Sequence, residues 1–201
     1  MRIGFFGGTF DPPHRAHLSL ACAAADAFAL DRVLLAPTGV QPLKQYAPGA
    51  TFQDRVAMTR LLCADDARLE TSDIDAPHED GSPNFTVNTL AAVQRQYPAA
   101  SLFVLVGADS FLTLPYWREP ARLLELAEWI VVSRPGFSLD DLSALQLTAS
   151  QEARVHLLKT LEEDVSASGI RERLRIGVSC GTTLTPTVAL YIARMHLYHA
   201  R

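Results

Sequence analysis

Four short apolar runs punctuate the chain: Ile3-Gly4-Phe5-Phe6, Val33-Leu34-Leu35-Ala36, Leu102-Phe103-Val104-Leu105-Val106 and Trp129-Ile130-Val131-Val132. Each is rich in β-branched or aromatic residues and is closed by Gly, Pro or Ser. Such runs fit strands buried on both faces of a parallel sheet. Residues 154–158 and 67–71 are weaker strand candidates. Between the runs, residues 17–30 carry apolar positions at helical spacing. Residues 51–64 open on the N-cap candidate Thr51, with Asp54 three positions later. Residues 86–97 form a third helical stretch, stopped by Pro98. Thr185-Pro186 supplies an N-cap and an N1 proline for a helix running to about His196. Strand–helix alternation of this kind predicts one α/β domain over residues 1–201, built on a doubly wound, mostly parallel sheet. Residues 37–49, 75–83 and 135–147 are expected to be long loops, which on such scaffolds often carry function.

Composition narrows the picture. A chain of 201 residues with 48% apolar and 20% charged residues suits one folded domain and excludes general disorder. The net charge of −4, with no basic block, argues against a nucleic-acid partner but leaves room for a local basic pocket. The apolar runs are too short to span a bilayer, and no charged-then-apolar leader precedes Gly7. Cys22, Cys63 and Cys180 form no CxxC pair and read as reduced thiols. The expectation is a cytoplasmic protein without a membrane partner. Oligomeric state is left open.

The sharpest chemical feature is Gly7-Gly8-Thr9-Phe10-Asp11-Pro12-Pro13-His14-Arg15-Ala16-His17, which follows the first strand and opens the first helix. Glycines there allow close backbone approach to an anion, and a helix start offers free N–H groups. His14 and His17, three residues apart, fall on one side of a helical turn and suit two phosphate oxygens. A tight turn with capping histidines, or a weak metal pair, is the plainer alternative. The string is neither GxGxxG nor a P-loop. Gly107-Ala108-Asp109-Ser110 and Ser133-Arg134-Pro135-Gly136 also follow strands, so three polar motifs meet at one sheet edge, where ligands of open parallel sheets bind. Asp109 suits either a ribose contact or a helix N-cap, and Trp117 either a stacking platform or a loop anchor. Trp129, inside a strand run, reads as core. Ser166-Ala167-Ser168-Gly169-Ile170-Arg171 reads as a cap string entering a helix over residues 170–175. That places Arg171 in the first turn, where the dipole prefers an anion. Lys44 and Arg134 are by default solvated loop charges.

GGTFDPPHRAH resembles the signature of the nucleotidylyltransferase superfamily. Further segments narrow the resemblance to nicotinate-nucleotide adenylyltransferases: Pro42-Leu43-Lys44, Asn84 to Leu90, Val106 to Ser110, Pro115-Tyr116-Trp117, Ser133 to Gly136, Val165 to Arg171 and Leu184 to Ile192. The resemblance covers nearly the whole chain, in order. Ala16 replaces a usual Gly, Pro42-Leu43-Lys44 a usual PPHK or PPHR, and Ser168 a common Thr.

The resemblance implies a Rossmann-like nucleotidyltransferase fold. It also implies transfer of the adenylyl group of ATP to nicotinate mononucleotide, in NAD biosynthesis. ATP is then a co-substrate, with Mg²⁺ carried on its phosphates. His14, His17, Lys44, Ser168 and Arg171 become the catalytic candidates at the phosphates. Gly7, Gly8, Thr9, Phe10, Gly107, Asp109, Arg134 and Ser166 become nucleotide contacts, and Asp11, Asn84, Phe85, Thr86 and Trp117 acceptor contacts. The rivals are a related enzyme with another phosphorylated acceptor, such as phosphopantetheine, and a non-catalytic nucleotide-binding module.

Overall fold

The computed structural model describes residues 1–43, 47–133, 139–159 and 165–199. Among them, six strands form one parallel sheet: β1 (Arg2–Gly8), β2 (Arg32–Pro37), β3 (Leu69–Thr71), β4 (Ser101–Gly107), β5 (Glu128–Ser133) and β6 (Val155–Lys159). Their order is β3-β2-β1-β4-β5-β6. This is the doubly wound Rossmann order, and every pairing in it is parallel. Both weaker strand candidates are therefore real, as the short edge strands β3 and β6. β1 lies centrally, with Phe5 opposite Leu34 on one side and Val104 on the other.

The two-residue repeat of a strand sends alternate side chains to opposite faces. Phe6, Leu35, Phe103, Leu105 and Ile130 enter one core, beneath α1 (Arg15–Ala27), α2 (Phe52–Cys63), α7 (Ala167–Arg175) and α8 (Pro186–Arg194). Phe5, Leu34, Val104, Trp129 and Val131 enter the other, with α3 (Thr86–Gln96), the short α4 (Ala108–Phe111) and α5 (Pro120–Leu126). Trp129 is fully buried, as its place in a strand run implies. A last short helix, α6 (Ala149–Glu152), precedes β6. No helix among the described residues is long and apolar enough to cross a membrane.

Local chemistry explains most helix starts. Thr51 accepts the Asp54 N–H at 3.2 Å and caps α2, and Pro186 occupies the N1 end of α8. Two expectations need correction. α7 begins at Ala167, not Ile170, because the Ser166 hydroxyl accepts the Gly169 N–H at 3.1 Å. Arg171 thus sits beyond the first turn and is no misplaced charge at a helix start. Asp109 is not an N-cap either; Gly107 takes that position and Asp109 lies within the first turn of α4. The expected loop at 135–147 contains a 3-10 segment, Leu139–Leu145.

The turn after β1 is held by one carboxylate. Asp11, only 3% exposed, accepts the Gly49 N–H at 2.7 Å, the Ala50 N–H at 3.0 Å and the Tyr198 hydroxyl at 2.7 Å. The Arg171 guanidinium donates to the Asp11 carbonyl at 2.7 Å and lies 3.7 Å from its carboxylate. Arg55, also buried, donates from Nη1 to the carbonyls of Thr9 and Thr38, at 2.7 and 2.9 Å, tying the ends of β1 and β2. Burial pulls the Arg55 pKa down, while Asp11 opposes that pull. Burial and Asp11 together push the Tyr198 hydroxyl well above its ordinary range, so it remains a donor.

Tyr198→Phe should therefore cost about 1.5–3 kcal/mol of stability, the usual worth of a hydrogen bond to a charged group. Thermal or denaturant unfolding checks this; a variant as stable as the parent would show that the Asp11 cluster does not hold the turn.

Candidate functional site

A cavity of about 600 Å³ opens at the carboxyl ends of β1, β2 and β4. It lies where the chain leaves β1 in one direction and β4 in the other, the switch point of the sheet. Gly7, Gly8 and Thr9 line its floor, Gly107 and Asp109 one side, and Phe85, Thr86 and Trp117 another. A Cβ on Gly7 would stand 2.9 Å from the Phe5 ring, so the strand end admits only glycine without a shift. The sequence motifs after β1 and β4 do converge on one space.

The two histidines stack. Their ring centroids are 3.7 Å apart at 32°. His17 lines the cavity and packs its ring on Phe10, 4.9 Å away. Its Nδ1 lies 3.2 Å from the His14 backbone N–H, which donates to it. His14 is 5% exposed and does not line the cavity. Its burial lowers its pKa from 6.5 to about 4, so its ring is neutral at pH 7. Its Nδ1 is buried with no hydrogen-bond partner among the described residues.

The opposite wall is aromatic. Trp117 is half-buried; its Nε1 donates to Thr113 Oγ1 at 2.9 Å and its ring meets Trp129 edge-on at 6.0 Å. It is therefore anchored on the core, as one reading of its sequence context expects, and it lines the cavity. Phe85 is the N-cap of α3 and supplies no side-chain cap. Thr86 follows as the first helical residue, so the start of α3 presents main-chain N–H groups at the cavity wall.

Three expected ligand contacts have other partners here. Asp11, expected on the acceptor, has both carboxylate oxygens engaged by the protein and does not line the cavity. Phe10 is 2% exposed; its ring is core, backing His17. Asn84 lines the cavity, but its side chain is a staple: Oδ1 accepts from Val40 N–H at 2.7 Å and Nδ2 donates to Ala76 carbonyl at 2.8 Å. That staple holds two loops against each other so closely that a Cβ on Gly39 would lie 2.4 Å from Pro77 N. Ser166, Ser168 and Arg171 stand on α7, away from the cavity lining. Arg171 reaches the turn after β1 through Asp11. Lys44 and Arg134 lie outside the described residues.

Sequence reasoning passed over several residues. Asp75 lines the cavity while almost fully buried, and burial raises its pKa against the hydrogen bonds from Thr89 and Thr38. Arg118 lines the cavity with its guanidinium 4.7 Å over the Phe85 ring. Arg55 and Tyr198 frame the turn after β1. Each is a lone polar residue, without a period or motif to announce it.

A family model described as cytidylyltransferase-like matches residues 5–173. A probable nicotinate-nucleotide adenylyltransferase of Gloeobacter violaceus is 39% identical, covering 98% of this chain and 96% of that protein. A probable nicotinate-nucleotide adenylyltransferase of Roseiflexus is 37% identical, covering 98% and 97%. Among solved structures, Plasmodium falciparum nicotinic acid mononucleotide adenylyltransferase complexed with NaAD superposes with a TM-score of 0.79. It is 18% identical and is covered to 97%, over 98% of this chain. The fold, the strand-end motifs and this full-length kinship agree: the chain belongs to the cytidylyltransferase-like family and, within it, to the nicotinate-nucleotide adenylyltransferases.

Proposed function

We infer that the protein transfers the adenylyl group of ATP to nicotinate mononucleotide, giving nicotinate adenine dinucleotide and pyrophosphate. The observation that carries this reading is the convergence of two unlike walls on one cavity: the glycine turn with His17, and the aromatic wall with the open start of α3. The first suits phosphates and the second suits a flat, anionic ring. Residues 1–201 would act as one nucleotidyltransferase domain.

The 5′-phosphate of the mononucleotide attacks the α-phosphorus of ATP in line. A new P–O bond forms as the bond to the bridging oxygen breaks, and pyrophosphate leaves with its electrons. The nucleophile is already an anion, so positioning and charge stabilisation suffice. Gly7, Gly8 and Thr9 bring main chain to the ATP phosphates, with Asp109 and Gly107 towards the ribose. His17 donates to the phosphates, and neutral His14 supports its ring from behind. Arg171, Ser168 and Ser166 on α7, with Lys44 and Arg134, are proposed to serve the polyphosphate and nucleotide. Phe85, Thr86 and Trp117 receive the acceptor ring. Mg²⁺ would arrive on the ATP phosphates and neutralise their charge. Among the described residues no three His, Cys, Asp or Glu side chains gather to hold a metal.

The direct test is pyrophosphate release with ATP, Mg²⁺ and a panel of phosphorylated acceptors. Pyridine mononucleotides should be used and phosphopantetheine not; turnover of the latter alone would reassign the enzyme. Main-chain donors facing the ring carboxylate should favour nicotinate over nicotinamide mononucleotide by about 10²-fold or more in kcat/KM. Equal constants would refute the carboxylate site.

His17→Ala should lower kcat by about 10²–10³ while weakening ATP binding far less, as expected for loss of one oriented donor. An unchanged kcat in a folded variant would remove His17 from the phosphates.

His14 adds a pH signature. The folded chain holds it neutral to about pH 4, whereas the unfolded chain protonates near 6.5. Its contribution is complete above pH 6.5 and is lost as pH falls towards 4, by roughly 3 kcal/mol in all. Unfolding curves of the parent and of His14→Gln should diverge in slope across that window; parallel curves would contradict it.

A further inference from the structure

We propose that Arg118 is a specificity residue that pairs with the ring carboxylate of the acceptor; this rests on the nicotinate reading above. Arg118 is the one Lys or Arg among the described residues lining the cavity. Its guanidinium lies over Phe85, 4.7 Å from the ring centroid. Phe85 is the residue from which α3 starts, so the cation and the positive end of the helix address the same patch of wall. Trp117, immediately before Arg118, is pinned by Thr113 and Trp129 and gives that patch its flat face.

The charge is available. Glu119 approaches Arg118 only to 3.9 Å, while it contacts Arg122 at 3.0 Å. Arg118 makes no hydrogen bond to the protein among the described residues. Stacking on Phe85 restrains the long side chain but leaves its N–H edge unoccupied. A planar guanidinium edge matches a carboxylate through two parallel hydrogen bonds. A carboxamide offers no charge and turns an NH₂ group towards those donors. The phosphate of the acceptor belongs with the glycine turn and His17, whereas the aromatic wall selects the ring, so the ring substituent is the group Arg118 meets.

Arg118 is half-exposed, and solvent screening limits the effect. In Arg118→Gln, the ratio of kcat/KM for nicotinate over nicotinamide mononucleotide should fall roughly tenfold, mostly through the KM of the acid. Arg118→Lys keeps the charge without the fork and should retain part of the preference. Thermal unfolding of both variants should stay close to the parent, since no protein hydrogen bond is removed and Arg118→Gln loses only an exposed stacking contact on Phe85. An equal loss on both acceptors would overturn the proposal and place Arg118 on the shared phosphate or in the fold. A parental preference that survives intact in Arg118→Gln would overturn the assignment to Arg118 alone. Absence of any preference in the parent protein would overturn the nicotinate reading and this one with it.

Discussion

A buried carboxylate without partners is among the costliest things a fold can contain. Asp11 is a buried carboxylate that avoids this cost, and the site is arranged around satisfying it. Its partners come from three stretches far apart in sequence: hydrogen-bond donors from the segment before α2 and the tail after α8, and the Arg171 charge from α7. Each of these must be in place before the charge is compensated. The turn after β1 is thereby fixed from three sides, and Arg55 fixes it from the fourth by gripping Thr9 and Thr38. The glycine floor and the histidine stack inherit their positions from this clamp.

The helix starts show a second economy. α2 and α7 are closed by the hydroxyls of Thr51 and Ser166. α3, which faces the cavity, begins at a phenylalanine that can cap nothing. A missing cap costs about 1 kcal/mol unless another acceptor takes its place. Ser or Asp in place of Phe85 would close that end of the helix with the protein's own oxygen. Phe85 leaves the donors open and supplies a ring surface at the same time, so local stability is given up where a ligand can restore it.

Strands of this protein were legible because burial on both faces leaves unbroken apolar runs, and even the short β3 and β6 left a trace. The meeting of the β1 and β4 motifs was legible for a related reason, since parallel topology sends every strand end to one edge. Helix starts were less so. Ser166-Ala167-Ser168-Gly169 offers two hydroxyls and a glycine, and only geometry decides that Ser166 is the cap, which moves Arg171 inward by a turn. Asp11 and Asn84 looked like ligand contacts because they sit in motifs beside the site; their side chains instead serve the frame. Motif membership reports proximity to the chemistry but does not separate groups that touch substrate from groups that hold those that do. Arg118 is the reverse case: a single charged residue after a tryptophan, silent in sequence until the fold set it over Phe85.

The span of the Asp11–Tyr198 contact has a consequence for biosynthesis. The two residues are 187 positions apart. At ribosomal rates of about 5–20 residues per second, roughly 10–40 seconds separate their synthesis. β1 and its glycine turn are synthesised well before Tyr198, so the carboxylate that sets the turn lacks its hydroxyl donor until α8 and the residues after it have been made. The central strands can form before Tyr198 emerges, but until then the turn after β1 lacks one of the ties that hold its carboxylate.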